Sequence, residues 1–570
     1  MSTIMGSLNH LLATANKVHI IWYLTLLIIM LTLAVLHHFW KNDSKKLMIW
    51  RFLCLTPILI CGVHAVIYVV GVPMFFEEFI LMYIIALLAL IPMLFAKRKT
   101  GYRISAVLTA VASCFCGFYF CLSSPNIFNH TRESYTESFH SLVMEMDEHY
   151  VLKEWKKVDF SALEAKYMPE VREAEQEQDP MKYFKTVDMF CNELHDGHVG
   201  SWVGFDFSQY QTGPLIHDYG FAMIRLDNDD IIAVCTSAEA NAVGIEDGTV
   251  ITKWNGKHIL QAATEDAPDI GYSVKTNADR LAALDLLRVG GETVEVSFIN
   301  KSGEEQTVTL KELEKMQSFR DARIAFSHSL EEGEDVNFST RMLNDKCGYL
   351  RLNAEGTDNE LRDTLAYITG EHKWAKEMFR EKLRGLKSQG MEYLVIDLRN
   401  NSGGLDVIGY MLCDLLTDKE WYCQGLGSRR DGKYISQCDQ YIHGDGEFAG
   451  LKVVALTNYK CASAGDGTSL LLSKLPNVTL AGITDPSGCD QETGGTVVLA
   501  EGLVYVGFPT GLVLDENGEP NVDTAADRIS RDPVEVRIPL DYDAAMKIFR
   551  DKQDYELDWA VKFLENQANS

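Results

Sequence analysis

The sequence carries no excess of basic charge. Among its 570 residues, Lys plus Arg count 53 and Asp plus Glu 80, a formal net charge of −27. Phosphate backbones attract basic surfaces, so nucleic acid is not an expected partner. Metal-ligand spacing is also missing. Eight cysteines follow residue 125, none in a Cys-x-x-Cys pair, and no ligand-spaced His/Asp/Cys cluster accompanies them. Neither a metal nor another cofactor is expected. A third shortage is local: the runs 20–36, 52–72, 79–96 and 104–122 contain no Asp, Glu, Lys or Arg. A helix needs about 20 apolar residues to cross a bilayer, with roughly 17 as a lower limit. Four transmembrane helices are therefore expected within residues 1–125. No charge lies mid-run, and His64 is the one strongly polar residue in the second run. That shortage argues against a transporter and for an anchor.

What is present divides the chain near residue 125. Residues 1–125 hold nine basic and three acidic residues, a net +6, and the remainder nets −33. The loops after the first and third runs carry Lys41, Lys45, Lys46 and Arg51, and Lys97, Arg98, Lys99 and Arg103. Basic short loops stay cytoplasmic. This places both termini on the other face and the large acidic part outside the cytoplasm, as a multi-pass protein of the cell membrane with the lipid bilayer as a partner.

Beyond residue 125 the pattern changes twice. Residues 128–195 show helical apolar spacing, as in Phe139, Leu142, Val143 and Met146. Residues 210–312 break into short β-like pieces, with a hairpin signal at Asn255-Gly256 and a helix over 279–287. From about 320, strands alternate with helices. The strands are 349–352, 393–398, 451–457, 478–483 and 503–508, and the helices 359–368, 374–388, 407–416 and 463–475. Mostly apolar strands alternating with helices imply a sheet covered by helices, whose site forms beyond the strand C-termini.

Two loops at those ends are unusual. After 451–457 comes Asn458-Tyr459-Lys460-Cys461-Ala462-Ser463-Ala464-Gly465-Asp466-Gly467. A serine at a helix start is commonly a cap. Here Ala462, Ala464 and Gly465 leave room for a substrate backbone, and the helix start offers amides to an oxyanion. The other loop is Arg399-Asn400-Asn401-Ser402-Gly403-Gly404, whose glycines permit close backbone approach. A general base is supplied by His198 in Leu194-His195-Asp196-Gly197-His198-Val199, with His195 as its near competitor.

Taken in order, these three motifs resemble the S41 serine peptidases, the C-terminal-processing and tricorn-core group, over about residues 130–545. Asp466 stands where that family has Glu. The β-rich part resembles a PDZ domain through Gly220-Phe221, Ala242-Val243-Gly244-Ile245-Glu246-Asp247-Gly248 and Asn255-Gly256. With the all-α transmembrane region (1–125) expected from the apolar runs, the resemblance implies a multidomain chain: a helical part (126–205), a PDZ-like domain (206–315) and an α/β, ClpP/crotonase-like peptidase core (316–570). It further implies Ser463 as nucleophile and His198 as base, an oxyanion hole from the amides of Ala464 and of Gly403 or Gly404, and Glu492 and Gln491 as orienters. Gly220 and Phe221 would bind substrate, a protein or peptide taken by its C-terminus, and an oligomer is compatible with this reading. Two departures stand out. Residues 484–495 contain no lysine, which removes a Ser–Lys dyad, and Gly197 replaces the serine that precedes the base in the tricorn-like branch. The rival reading is a catalytically inactive peptide-binding or envelope scaffold protein that keeps the fold without hydrolysis.

Overall fold

The computed structural model describes residues 126–204, 216–313, 317–328, 338–356, 373–430 and 432–569, together with 42–53 and isolated positions between 28 and 40. Among the described residues no helix is long and apolar enough to cross a membrane. The helix Ser44–Leu53 has 10 residues and carries Lys45, Lys46 and Arg51, too short and too charged for a span. The four apolar runs otherwise lie outside the described residues. The expected all-α transmembrane region is thus not borne out, and the multi-pass location, its orientation and the bilayer as partner are withdrawn with it. The described architecture is mixed α/β.

Its centre is a six-stranded sheet in the order Val536–Arg537, Val478–Gly482, Lys452–Leu456, Tyr393–Asp397, Cys347–Leu352, Phe338–Met342. All pairs are parallel except the last, where Phe338–Met342 runs antiparallel at the edge. Side chains alternate across a strand, and both faces here are apolar because both are covered. Leu394, Ile396, Val453, Ala455 and Leu480 pack on the helices Lys373–Ser388, Asp406–Leu415 and Ala464–Ser473. Tyr393, Val395, Val454, Leu456 and Ala481 face the other way. They join a core shared with the β-rich unit and with Leu557, Ala560 and Leu564 of the C-terminal helix Tyr555–Asn569. The expected helix over 359–368 lies outside the described residues.

The β-rich unit forms its own sheet, Ala222–Arg225, Ile231–Val234, Val250–Trp254, Thr293–Ile299, Glu305–Lys311 in that order. Asn255 (φ 47°) and Gly256 (φ 77°) both take positive φ between Val250–Trp254 and Lys257–His258. This is the two-residue hairpin that Asn-Gly favours. The expected helix appears as Lys275–Asp285 followed by the short turn Leu286–Arg288.

A third core holds the helical part. Helix Tyr135–His149 starts at a capping box between Ser134 and Glu137 and buries Phe139, Leu142, Val143 and Met146. Asn126–Asn129 is a strand, paired in parallel with Thr493–Val498. Val504–Pro509 pairs there too, not in the central sheet where the alternating pattern had put it.

Candidate active site

The strand Lys452–Leu456 delivers the chain into the loop before helix Ala464–Ser473. Ser463 stands at the N-cap with φ 57° and ψ −136°, a region non-glycine residues rarely occupy, and its side chain makes no capping bond. The hydroxyl is therefore not spent on the helix. The strain is held by its surroundings. Ser463 N–H donates to Cys489 O at 2.7 Å and Ala462 N–H to Asn401 O at 2.9 Å. A Cβ on Gly465 would lie 2.7 Å from Asn401 O, and one on Gly403 would strike Ser463 Cβ. Both glycines let the two loops touch.

In the twin-glycine loop, Gly403 has φ +89° and Gly404 φ +139°. The Gly403 amide donates to Asn401 Oδ1 at 2.9 Å. Gly404 forms an isolated bridge with Glu355, whose bonds run through its neighbours, Glu355 N–H to Gly403 O and Leu405 N–H to Glu355 O. Of the two glycine amides left open by the sequence, Gly404's is the one not already committed. The Ala464 amide opens the helix beside it.

His198 arrives on a separate loop. Asp196 Oδ1 accepts its main-chain N–H at 2.8 Å, and Asp196 Oδ2 accepts the Tyr150 hydroxyl at 2.8 Å. Burial lowers the His198 pKa, with Asp196 pulling it back, so the ring is neutral and able to take a proton. Its Nδ1 is buried and unbonded among the described residues. The loop packs through Gly197 on the turn that carries Ser487 and Cys489, and Cys489 O accepts the Ser463 N–H. A Cβ on Gly197 would lie 2.6 Å from Cys489 Sγ and 3.2 Å from Ser487 Oγ. Cys489 fills the space a serine at 197 would need, which accounts for that departure. His195 (φ 45°) instead faces Asp269, Nδ1 to Oδ2 at 3.5 Å.

Asp466, in place of glutamate, clamps the intervening turn. Its Oδ2 accepts Gly488 N–H at 2.6 Å and Cys489 N–H at 3.1 Å. The rival thiols are ruled out by burial. Both Cys461 and Cys489 are held well above the ordinary thiol range by desolvation, then by Asp466.

The expected orienters lie elsewhere. Gln491 donates to Asp523 Oδ2 at 2.8 Å and to Val513 O at 3.2 Å, and accepts from Val513 N–H at 2.8 Å. Glu492 packs against Gly511, and it adds a little to the burial that raises the Asp406 carboxyl. The side-chain bonds of Gln491 thus go to Asp523 and Val513 rather than to His198. Gly220 N–H already donates to Asp218 Oδ1 at 2.8 Å, and Phe221 is fully buried.

Sequence reasoning missed Asp523. It is fully buried, its Oδ2 accepts Asp490 N–H at 2.9 Å, and its Oδ1 is unbonded among the described residues. Burial, then Asp196, pushes its carboxyl up to about 7. Nothing around Val522-Asp523-Thr524 announces this. It also missed Ser273, whose Oγ accepts Gly197 N–H at 3.1 Å while its carbonyl accepts the Thr524 hydroxyl at 3.0 Å. Asp196, one turn before His198, was legible in the Asp-Gly-His string. Among the described residues no group of His, Cys, Asp and Glu is arranged to hold a metal ion.

Residues 346–523 match the model of peptidase family S41. Among curated proteins none matches the sequence. Among solved structures, mature CPAF is 14% identical, covering 77% of this chain and 98% of that chain at a TM-score of 0.51. Mature CPAF complexed with lactacystin is 14% identical, covering 76% and 99% at 0.50. A putative peptidase from Parabacteroides merdae ATCC 43184 is 15% identical, covering 76% and 97% at 0.41. The two CPAF likenesses show a shared fold. The family match spans the twin-glycine loop, Ser463, Gln491, Glu492 and Asp523, and leaves out His198. The segment 346–523 is of the S41 peptidase family, and the chain is a serine-type peptidase acting on protein or peptide substrates.

Proposed function

We propose that this serine-type peptidase is an endopeptidase that works through an acyl-enzyme on Ser463. The observation that carries the reading is the conformation of Ser463: a strained N-cap whose hydroxyl caps nothing, pressed against the twin-glycine loop. His198 takes the hydroxyl proton as Oγ attacks the peptide carbonyl. The amides of Ala464 and Gly404 receive the oxyanion. The proton passes to the leaving amine as the C–N bond breaks, and water, deprotonated by the same imidazole, releases the acyl group. Asp196 fixes the main chain of His198. Asp523, held by Gln491, places a buried carboxyl behind that loop. Residues 126–205 and 206–315 serve as the helical and PDZ-like parts. The committed Gly220 amide speaks against capture of a substrate C-terminus there.

The test is an activated fluorophosphonate probe on the full chain, with the labelled residue mapped by peptide mass spectrometry. Labelling at Ser463 that falls in His198→Ala is expected. A folded protein that labels nowhere would favour a binding role.

A further inference from the structure

We propose that Glu355 is a positioning residue for this peptidase reaction, fixing the twin-glycine loop so that the Gly404 amide faces the nucleophile. The proposal rests on the reading of Ser463 and the oxyanion hole above.

Glu355 grips the loop at three places. Its main-chain N–H donates to Gly403 O at 2.8 Å, and its carbonyl accepts Leu405 N–H at 2.7 Å. These two bonds straddle Gly404 and leave that amide uncommitted. Its side chain does the rest: Oε1 accepts Asn401 Nδ2–H at 3.1 Å, and Asn401 Oδ1 accepts the Gly403 amide at 2.9 Å. The carboxyl group thus sets the asparagine that turns the Gly403 amide away from the site. Approach is close, since a Cβ on Gly404 would lie 3.2 Å from Glu355 Cβ.

The protonation state matters because of where this carboxyl lies. Glu355 is 1% exposed, its Oε2 is unbonded, and no cation pairs with it among the described residues. An ionised carboxylate here would oppose the negative charge that forms on the substrate oxygen, whereas a neutral carboxyl does not. Burial, helped by Asp406, pushes the group up to about 8. The groups facing it are Asp406 and Cys413 on the helix Asp406–Leu415, Cys461 in the nucleophile loop, and the neutral Thr468 and Gly409. Cys413 and Cys461 are held well above the thiol range, so Asp406 is the nearby charge.

The experiment measures kcat and KM of the full chain on a fluorogenic peptide from about pH 5 to 10, for wild type, Glu355→Gln, Glu355→Ala and Ser463→Ala. Removing one oxyanion donor costs about 100- to 1000-fold, so a loop released by Glu355→Ala should lose about 100-fold in kcat with KM within about threefold. Glu355→Gln, which still accepts from Asn401, should stay within about fivefold and lose the alkaline fall near pH 8. Where Glu355→Ala does not fold, the glutamine variant decides. Ser463-dependent turnover with an unchanged alkaline limb in Glu355→Gln overturns this proposal alone. Turnover that persists in Ser463→Ala overturns the nucleophile assignment and this proposal together.

Discussion

The two halves of the site are built differently. The nucleophile half sits on two adjacent parallel strands, Tyr393–Asp397, buried throughout, and Lys452–Leu456, buried from Val453 on, and its loops are welded by main-chain bonds. The base half is one short loop between the helix Pro180–Asn192 and the strand Gly200–Val203, outside the matched family segment. Among the described residues it approaches the nucleophile half through Gly197, which packs on Cys489 and Ser487, and it is braced from the other side by Ser273. The difference teaches where rigidity is needed. Oxyanion donors must stand ready before the charge develops, whereas a base can close its hydrogen bond when substrate arrives.

The sharpest way to break this comparison is at its centre. Ser463→Ala should abolish turnover, by about 10³-fold or more, because the residual rate comes from binding and the oxyanion hole alone. The substitution relieves nothing in the main chain, so the urea midpoint should stay within about 0.5 kcal/mol of wild type. His198→Ala should cost less, about 10²- to 10⁴-fold. A steady-state assay ranks the two, and an equal loss would mean that the halves act as one rigid unit.

The nucleophile half also carries the larger stake in folding. Arg399, which opens the twin-glycine loop, is fully buried. It makes two bonds to Asp397, at 2.9 and 2.7 Å, and others to Asp554 and Glu556. It thereby ties the loop to the C-terminal helix. Arg399→Ala leaves buried carboxylates uncompensated and should destabilise by about 3–5 kcal/mol in urea unfolding. No buried guanidinium supports the His198 loop among the described residues. Gly197→Ser there should cost about 1–3 kcal/mol through overpacking against Cys489 Sγ. The second change Cys489→Ala should restore most of that loss. Without that rescue, the clash is not the reason for glycine at 197.

How much was legible follows the same division. The nucleophile half is written in contiguous strings: an apolar run fully buried as Tyr393–Asp397, then Gly403-Gly404, and a second run followed by Ala462-Ser463-Ala464. Local pattern is enough there because each string carries its own strand, loop and helix. What could not be read depends on distant segments meeting in space. Glu355 and Asn401 are separated by 46 residues, Gln491 and Asp523 by 32, and Gly197 and Ser273 by 76. Val504–Pro509 has the composition of a core strand, yet its partners at Gly200–Val203 and Thr493–Val498 put it in another sheet. Gln491 and Glu492 lie near the site in sequence, but their side chains turn to Asp523 and Gly511. The apolar runs before residue 125 show the opposite failure. Length and absence of charge predict spans, and no described helix supplies one.

The smallest effect distinguishes the halves by pH. Burial lowers the His198 pKa below the ordinary histidine value of 6.5, against a smaller opposing pull from Asp196. The neutral imidazole is the form that accepts the serine proton, so the acid limb of kcat/KM should have its midpoint below 6.5. The sign for stability follows from proton counting. In the folded state the ring binds fewer protons than in the unfolded chain at pH just under 6.5, so stability should fall as pH drops through that range. Glu355 has the reverse sense: its carboxyl is raised from 4.5 to about 8, so its contribution is complete below 4.5 and is lost as pH rises toward 8. His198→Gln should shrink the acid-side loss, to which His328, lowered by burial to about 4, also contributes. Glu355→Gln should shrink the alkaline-side loss, to which the buried carboxyls of Asp406 (about 6) and of Asp523, Asp532 and Glu556 (about 7) also contribute, and urea midpoints across this range measure both. An acid-side loss of unchanged size in His198→Gln would mean that burial does not hold the His198 ring below its ordinary value and that the base half is more open to solvent than its packing on Cys489 implies.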